Sequence, residues 1–215
     1  MDHRVANRIG AACGLAGVIG NIAGIAVLGD IPSAYRPGSL TAWVHETIAA
    51  PGAASTSAMA FTLGLLAVAG WAWAVAARLE SPLARFGSLA IGAGAILDAA
   101  GTPAPLVLAT YLGPACRAGG ECIAVGVSLL GMSLVLDALF NLLLGLGLVA
   151  FGAVMWRRAS APRWVATLVL VAGVIAIPVS LQWFSPAAAD LLMFAGPLWL
   201  ASIAITSVCL WRDRL

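Results

Sequence analysis

Charged residues are scarce in this chain, and one basic residue type is absent altogether. Charged residues make up 9% of the 215 residues, whereas a soluble domain has about 25%. The sequence contains no lysine, which excludes Schiff-base chemistry on a lysine side chain. The formal net charge is only +2, and the arginines are scattered rather than gathered in a stripe. We therefore expect no nucleic-acid partner.

Histidine is almost as scarce, and this limits the metal and hydrolase chemistry. Only His3 and His45 are present, so intramembrane hydrolases with three histidines are excluded, and a catalytic zinc site is disfavoured. The sequence also has no CxxC pair, P-loop or glycine-rich nucleotide motif. We predict neither a metal nor another cofactor.

Long apolar runs are what the chain has in abundance, since 62% of its residues are hydrophobic. A helix needs about 20 such residues to cross a hydrocarbon layer of about 30 Å. Six runs reach or approach this length: 9–28, 53–77, 86–112, 123–156, 164–181 and 191–211. They predict an all-α, polytopic transmembrane helix bundle with six spans in a single domain, residues 1–215. The great length of the fourth run leaves a seven-span alternative open.

The positions of the arginines predict the orientation of the chain. With six spans, nine arginines fall on one side of the membrane, and only Arg36 and Arg117 fall on the other. Arginine accumulates in cytoplasmic loops, so we expect both termini in the cytoplasm.

Two segments on the predicted outer side have patterns that predict local structure. Residues 29–52 form a polar loop with an apolar stripe over 40–49, which predicts a short helix that lies on the membrane surface or folds over the bundle. Cys116 and Cys122 flank a short polar loop, and we predict a disulfide there, with two free thiols as the alternative.

The first apolar run is rich in glycine, which lets helices approach closely. Gly10 and Gly14 are four residues apart, as are Gly20 and Gly24. This spacing favours packing inside the bundle, and a homo-oligomer through the same helix is the alternative.

Acidic residues within the apolar runs are the leading functional candidates, because charge inside a membrane is costly. Asp98 and Asp137 interrupt the third and fourth runs in their predicted outer halves, and Asn141 lies one helical turn from Asp137. We predict that these three line a polar pocket open to the outside or to the outer leaflet. We also predict that this pocket is roofed by His45 and Glu46. Its predicted aromatic walls are Trp43, Tyr111, Trp183 and Phe184.

Each of these acids also has a structural interpretation. Asp98 precedes a segment with two prolines, 101–105, and its side chain could satisfy backbone groups freed by that break. Asp137 and Asp190 could lie in water at the outer interface, and Asn141 could hydrogen bond to another helix.

The second half of the chain contains a set of recognisable motifs. They are FNL at 140–142, GLG at 145–147, WRR at 156–158 and APRW at 161–164, followed by a span with Gly173. Over residues 130–211 the chain resembles the bacterial DUF4386-like family of small multi-spanning membrane proteins. The resemblance implies a multi-pass protein of the bacterial inner membrane and carries over no activity.

In size and in the placement of its acids, the chain is also similar to the transmembrane terpene cyclases, which protonate isoprenoid substrates with acidic side chains. The similarity implies Glu46 and Asp190 as an acid pair, and Asp98 is a further candidate acid.

The sequence therefore predicts first a membrane protein that binds a hydrophobic or amphipathic small molecule in an outer pocket, with membrane lipids around it. The alternatives are an intramembrane enzyme of terpene cyclase type, a proton- or cation-coupled transporter that uses Asp98, and a helper subunit with no site. The transporter is disfavoured because the sequence has no internal repeat.

Overall fold

The computed structural model describes residues 3–31, 38–117, 122–182 and 185–215, and all regular structure within these ranges is helical. The α-helices are α1 (His3–Val27), α2 (Leu40–Ala49), α3 (Pro51–Leu79), α4 (Pro82–Gly101), α5 (Pro103–Val107), α6 (Gly113–Arg117), α7 (Cys122–Arg158), α8 (Arg163–Val179) and α9 (Pro186–Trp211). A 3-10 turn, Leu28–Asp30, follows α1, and a π-helical turn, Leu108–Leu112, connects α5 to α6.

Six of these helices form a closed ring in which sequence neighbours are also spatial neighbours. The order around the ring is α1, α3, α4, α7, α8 and α9, and α9 returns to pack against α1. Five segments have the length and composition to cross a membrane: His3–Val27, Pro51–Leu79, Pro82–Cys116, Cys122–Arg158 and Asp190–Trp211. The sixth, α8, is an apolar helix of 17 residues, about 26 Å long. The predicted all-α polytopic bundle is confirmed.

The structure shows whether the third and fourth apolar runs are broken or continuous. The fourth run forms one unbroken helix of 37 residues, α7, so the seven-span alternative is wrong. The third run bends at Thr102 but continues through α5, the π-helical turn and α6, because Pro103 occupies the first helical position, where a missing N–H costs little.

Glycines bring the ring helices into backbone contact at three places. At each place, the Cβ of a residue larger than glycine would lie within 3 Å of backbone atoms of the facing glycine. The pairs are Gly20–Gly64 between α1 and α3, Gly87–Gly147 between α4 and α7, and Gly145–Gly173 between α7 and α8. On α1, the glycines 10, 14, 17, 20 and 24 all face α3 or α9, so this face packs inside the bundle.

Both ends of the described chain lie at the same end of the ring. The Asn7 side-chain amide donates a hydrogen bond to Asp213 Oδ1 at 2.7 Å. Arg158, at the end of α7, donates to the carbonyl oxygen of Leu79 at the end of α3, at 2.5 Å. We call the end formed by residues 3–8, 78–85, 156–163 and 211–215 the arginine end, and the opposite end the distal end.

At the distal end, the short helix predicted within residues 29–52 is α2, and it is folded onto the bundle. Trp43, Val44 and Ile48 are buried there in one apolar cluster with Leu130 and Leu134 of α7. The segment 32–37 of this loop lies outside the described residues. A disulfide joins Cys116 to Cys122, closing the connection between α6 and α7.

Candidate functional site

A cleft of about 670 Å³ lies in the distal half of the ring. Five of its lining residues are polar: Asn21, Asp98, Thr102, Asp137 and Asn141. Three are aromatic: Phe61, Phe140 and Trp199. These side chains come from α1, α3, α4, α7 and α9 together with Thr102, so the cleft exists only when the ring is assembled.

Asp98 is the most exceptional residue in the cleft. Only 6% of it is exposed, it faces the cleft, and no described residue donates a hydrogen bond to its carboxyl group. The side chain does not satisfy the backbone at the 101–105 break, since no N–H group of that segment donates to it.

Asp137, by contrast, is held in place by its neighbours. Gln182, just beyond α8, donates from Nε2 to Asp137 Oδ2 at 2.6 Å. Asn141 donates from Nδ2 to the main-chain oxygen of Asp137 at 2.9 Å. The carboxyl groups of Asp98 and Asp137 are close enough to interact electrostatically, so the cleft contains an acid pair with one fixed member.

Asn21 contributes a third acceptor from the opposite side of the cleft. Its amide nitrogen donates to the Gly17 carbonyl oxygen of its own helix at 2.9 Å. Its side-chain oxygen receives no hydrogen bond from the described part of the chain, although only 4% of the residue is exposed.

The aromatic side of the cleft is formed by α7 and α9. The rings of Phe140 and Trp199 pack edge to face, with their centroids 6.1 Å apart. Both rings are buried, and both line the cleft beside the acid pair. An apolar wall of this kind, facing a few polar groups, is typical of small-molecule sites.

The cleft opens between α1 and α9. At the arginine end these helices touch, since Gly14 faces Ser207 and the Arg8 guanidinium lies over the Trp211 ring, 5.6 Å from its centroid. At the distal end both helices line the cleft, and Ile25 of α1 is 53% exposed. On α9, a Cβ built on Gly196 would meet no other atom within 4 Å. The mouth therefore lies on the side of the bundle, where the surface is apolar.

The predicted site residues divide into two groups. Asp98, Asp137 and Asn141 meet in the cleft as the sequence predicts. His45 and Glu46 do not roof it, because α2 is anchored by its apolar residues on α7 and neither side chain is part of the cleft lining. Asp190 is exposed near the start of α9, so the acids in the cleft are Asp98 and Asp137 rather than Glu46 and Asp190.

The predicted aromatic walls are also corrected. Tyr111 is 77% exposed and points away from the cleft. Trp43 is buried, but it lies behind the cleft in a small void that it shares with Phe61 and Ile31. Trp183 and Phe184 lie outside the described residues.

Two cleft residues, Asn21 and Trp199, and the Asp137 partner Gln182 were not predicted from the sequence. Asn21 is an uncharged amide in a glycine-rich helix, and its only signal is that an amide is unusual within a span. Gln182 and Asp137 are 45 positions apart in the sequence, so their hydrogen bond could not be predicted from local sequence. Trp199 had a clearer signal, since it is the one tryptophan in the middle of a predicted span rather than near the end of one.

Within the described ranges, no three histidine, cysteine or acidic side chains come together as a metal site would require. No family model, no curated protein and no solved structure matches this chain. The resemblances to the DUF4386-like family and to the terpene cyclases therefore stay predictions, and the function has to be inferred from the cleft.

Proposed function

We propose that this membrane protein binds a hydrophobic or amphipathic small molecule in the distal cleft, with the polar group of the molecule against Asp98. The observation that carries the proposal is the Asp98 carboxyl group, which is buried, faces the cleft and has no hydrogen-bond partner among the described residues. Because this carboxyl group faces the cleft and no described residue donates to it, a molecule in the cleft can supply its hydrogen-bond donor.

The dimensions of the cleft support a small molecule. Its volume of about 670 Å³ falls within the range of roughly 300–1,000 Å³ that is usual for such sites. Phe61, Phe140 and Trp199 would contact the apolar part of the ligand, while Asp98, Asp137 and Asn21 would contact its polar part.

The direction of the mouth supports entry from the bilayer. The arginine bias favours a cytoplasmic arginine end, which would place the cleft in the outer half of a bacterial inner membrane. Since the cleft opens between α1 and α9, a molecule dissolved in the outer leaflet would reach Asp98 without passing through water.

Acid catalysis on an isoprenoid-like substrate is the second candidate, and the position of Asp98 beside two aromatic rings favours it. A protonated carboxyl group could deliver a proton to an alkene, and the faces of Phe140 and Trp199 could stabilise the resulting cation. In this proposal Asp98 and Asp137 take the roles that the terpene cyclase resemblance assigns to Glu46 and Asp190.

Mass spectrometry of co-purified molecules tests the proposal. Wild type, Asp98→Asn and the control Glu80→Gln, which changes an exposed acid at the arginine end, are purified in lipid nanodiscs. We expect one molecule to be enriched in wild type and in Glu80→Gln but lost from Asp98→Asn, with unchanged thermal stability. Equal recovery of the same molecules from all three proteins would contradict the proposal. Recovery of a substrate from Asp98→Asn and of its isomer from wild type would favour the enzyme.

A further inference from the structure

Most of the polar groups that the cleft offers to a ligand are acceptors. The amide groups of Asn21 and Asn141, which line the cleft, each use one of their two N–H groups on a main-chain oxygen. Gln182 uses one of its two N–H groups on Asp137. The Thr102 hydroxyl donates to a main-chain oxygen. The Asp98 carboxyl group and the side-chain oxygens of Asn21 and Asn141 receive no hydrogen bond from the described part of the chain. A ligand that satisfies them has to donate hydrogen bonds or carry positive charge.

The charged residues of the cleft also favour a ligand that carries positive charge. Asp98 and Asp137 both line it, and no arginine is part of the described lining. Nine of the eleven arginines belong to the arginine end or its connections, at the opposite end of the ring. Two charged acids that face one apolar cleft repel each other. A single bound cation attracts both, and this attraction is stronger in the cleft than it would be in water. A carboxylate or phosphate headgroup would instead add a third negative charge.

The aromatic and apolar residues of the cleft indicate the shape of the ligand. Phe140 and Trp199 line the cleft beside the acids, and tryptophan is the best aromatic partner of an organic cation. Beyond them the lining is apolar, with Ile25, Leu192 and Leu200 towards the mouth. The cleft thus offers negative charge at its buried end and an apolar path to the bilayer.

From this arrangement we infer that the ligand is an amphipathic cation: an ammonium group, seated against Asp98 and Asp137, on an apolar tail that extends between α1 and α9 towards the lipid. The inference rests on the proposed function and names the ligand class of the same cleft. It excludes fatty acids and anionic phospholipids as the preferred ligands.

Four probes with the same twelve-carbon chain test the ligand class: dodecylamine, dodecyltrimethylammonium, dodecanol and dodecanoate. Their binding to wild-type protein in phosphatidylcholine nanodiscs is measured by titration, with empty nanodiscs subtracted to remove partition into lipid. Two variants accompany the wild type. Asp98→Asn removes the charge at the buried end, and Gly196→Phe fills the mouth from a position with open space around it.

We expect dodecylamine to bind wild type about tenfold or more tightly than dodecanol, because only the amine gains the attraction of the two acids. Dodecanoate should bind most weakly. Asp98→Asn should reduce the preference for the amine over the alcohol, and Gly196→Phe should abolish binding of every probe. If Asp98→Asn does not fold, the order of the four probes on wild type still decides the question.

Two results would overturn the inference in different ways. Tighter binding of dodecanol or dodecanoate than of dodecylamine, still abolished by Gly196→Phe, would refute the cationic ligand and leave the binding cleft standing. Probe binding that is equal in wild type and Gly196→Phe would refute the cleft itself, and with it the proposed function.

Discussion

Several buried hydroxyl groups inside the bundle are satisfied by their own helix. Ser202, Thr206 and Ser207 are buried on α9, and each donates to a carbonyl oxygen four residues earlier. Such residues cost little in a membrane, because their hydroxyl groups are paired wherever the helix lies. Asp98 differs from them because its acceptor oxygens cannot be satisfied in this way. This contrast is the reason to assign Asp98 a ligand and to leave the hydroxyl residues with a structural role.

Arg158 is a structural residue at the arginine end, and its contribution can be measured. Its guanidinium donates to the Leu79 carbonyl oxygen, which has no partner within α3 because the helix ends there. We expect Arg158→Gln to reduce the free energy of unfolding by about 1 kcal/mol, since it removes a charge-assisted hydrogen bond that is partly exposed.

The matched control is Arg157→Gln, which changes the exposed neighbour in the same helical turn. Thermal unfolding in a mild detergent should show a lower midpoint for Arg158→Gln and little change for Arg157→Gln. An equal shift for both variants would mean that the loss of positive charge, and not the hydrogen bond, is responsible.

At the residue scale, the sequence predicted the two acids of the cleft and Asn141, and it missed Asn21 and Gln182. Asp98 and Asp137 stand out because each is an acid within an apolar run, and their depths could be calculated from the helical rise. Asn21 and Gln182 carry no charge, and nothing local indicates that they face the acids. His45 and Glu46 were placed on the cleft because they lie on the predicted outer side, but a side of the membrane does not specify a position within the ring.

At the scale of the helices, length and composition predicted nearly every element, because a membrane admits few alternatives to a helix. The predicted run 53–77 corresponds to α3, Pro51–Leu79, and the run 191–211 lies within α9, Pro186–Trp211. The course of the third run beyond Thr102 was harder to predict. Pro103 and Pro105 are as compatible with a helix end as with a bend. The chain continues as a helix after the bend because α5 packs on α3 and α7.

The close contacts between helices provide a second prediction. In Gly147→Leu, the new Cβ would lie 2.6 Å from the Gly87 carbonyl oxygen of α4, so α4 and α7 would have to separate. Overpacking of this kind costs about 1–3 kcal/mol. We therefore expect a clear fall in the thermal midpoint of Gly147→Leu.

Gly131→Leu is the control for this variant, because Gly131 is on the same helix and a Cβ there would meet nothing within 4 Å. It should leave the thermal midpoint unchanged or raise it slightly, since leucine is a better helix former than glycine. Equal destabilisation by the two variants would refute the close approach of α4 and α7.

At the scale of the whole molecule, the ring follows from antiparallel helices joined in sequence. Every connection between ring helices at the arginine end is short, which makes consecutive helices neighbours. The sequence could not predict the closure of α9 on α1, because that contact joins opposite ends of the chain. The cleft is lined by five of the ring helices and opens between α1 and α9, so its position could be seen only in the assembled ring.

The orientation of the ring in the membrane is a third prediction. In intact bacterial cells, after mild reduction, an impermeant maleimide should label Cys116 and Cys122 at the distal end. A cysteine introduced by Arg157→Cys, in a chain with Cys116→Ser and Cys122→Ser, should be labelled only after the membrane is permeabilised. The reverse pattern would place the cleft on the cytoplasmic side and refute the outer-leaflet route.

The central claim is that the distal cleft holds a bound molecule. It is tested most directly by comparing Gly196→Phe with Gly92→Phe in native mass spectrometry of the proteins released from nanodiscs. Both glycines have open space around a new Cβ, but only Gly196 lines the cleft. The account predicts that the molecule bound to wild type is retained by Gly92→Phe and lost from Gly196→Phe, with both variants folded. Retention of the molecule by a folded Gly196→Phe would contradict the account.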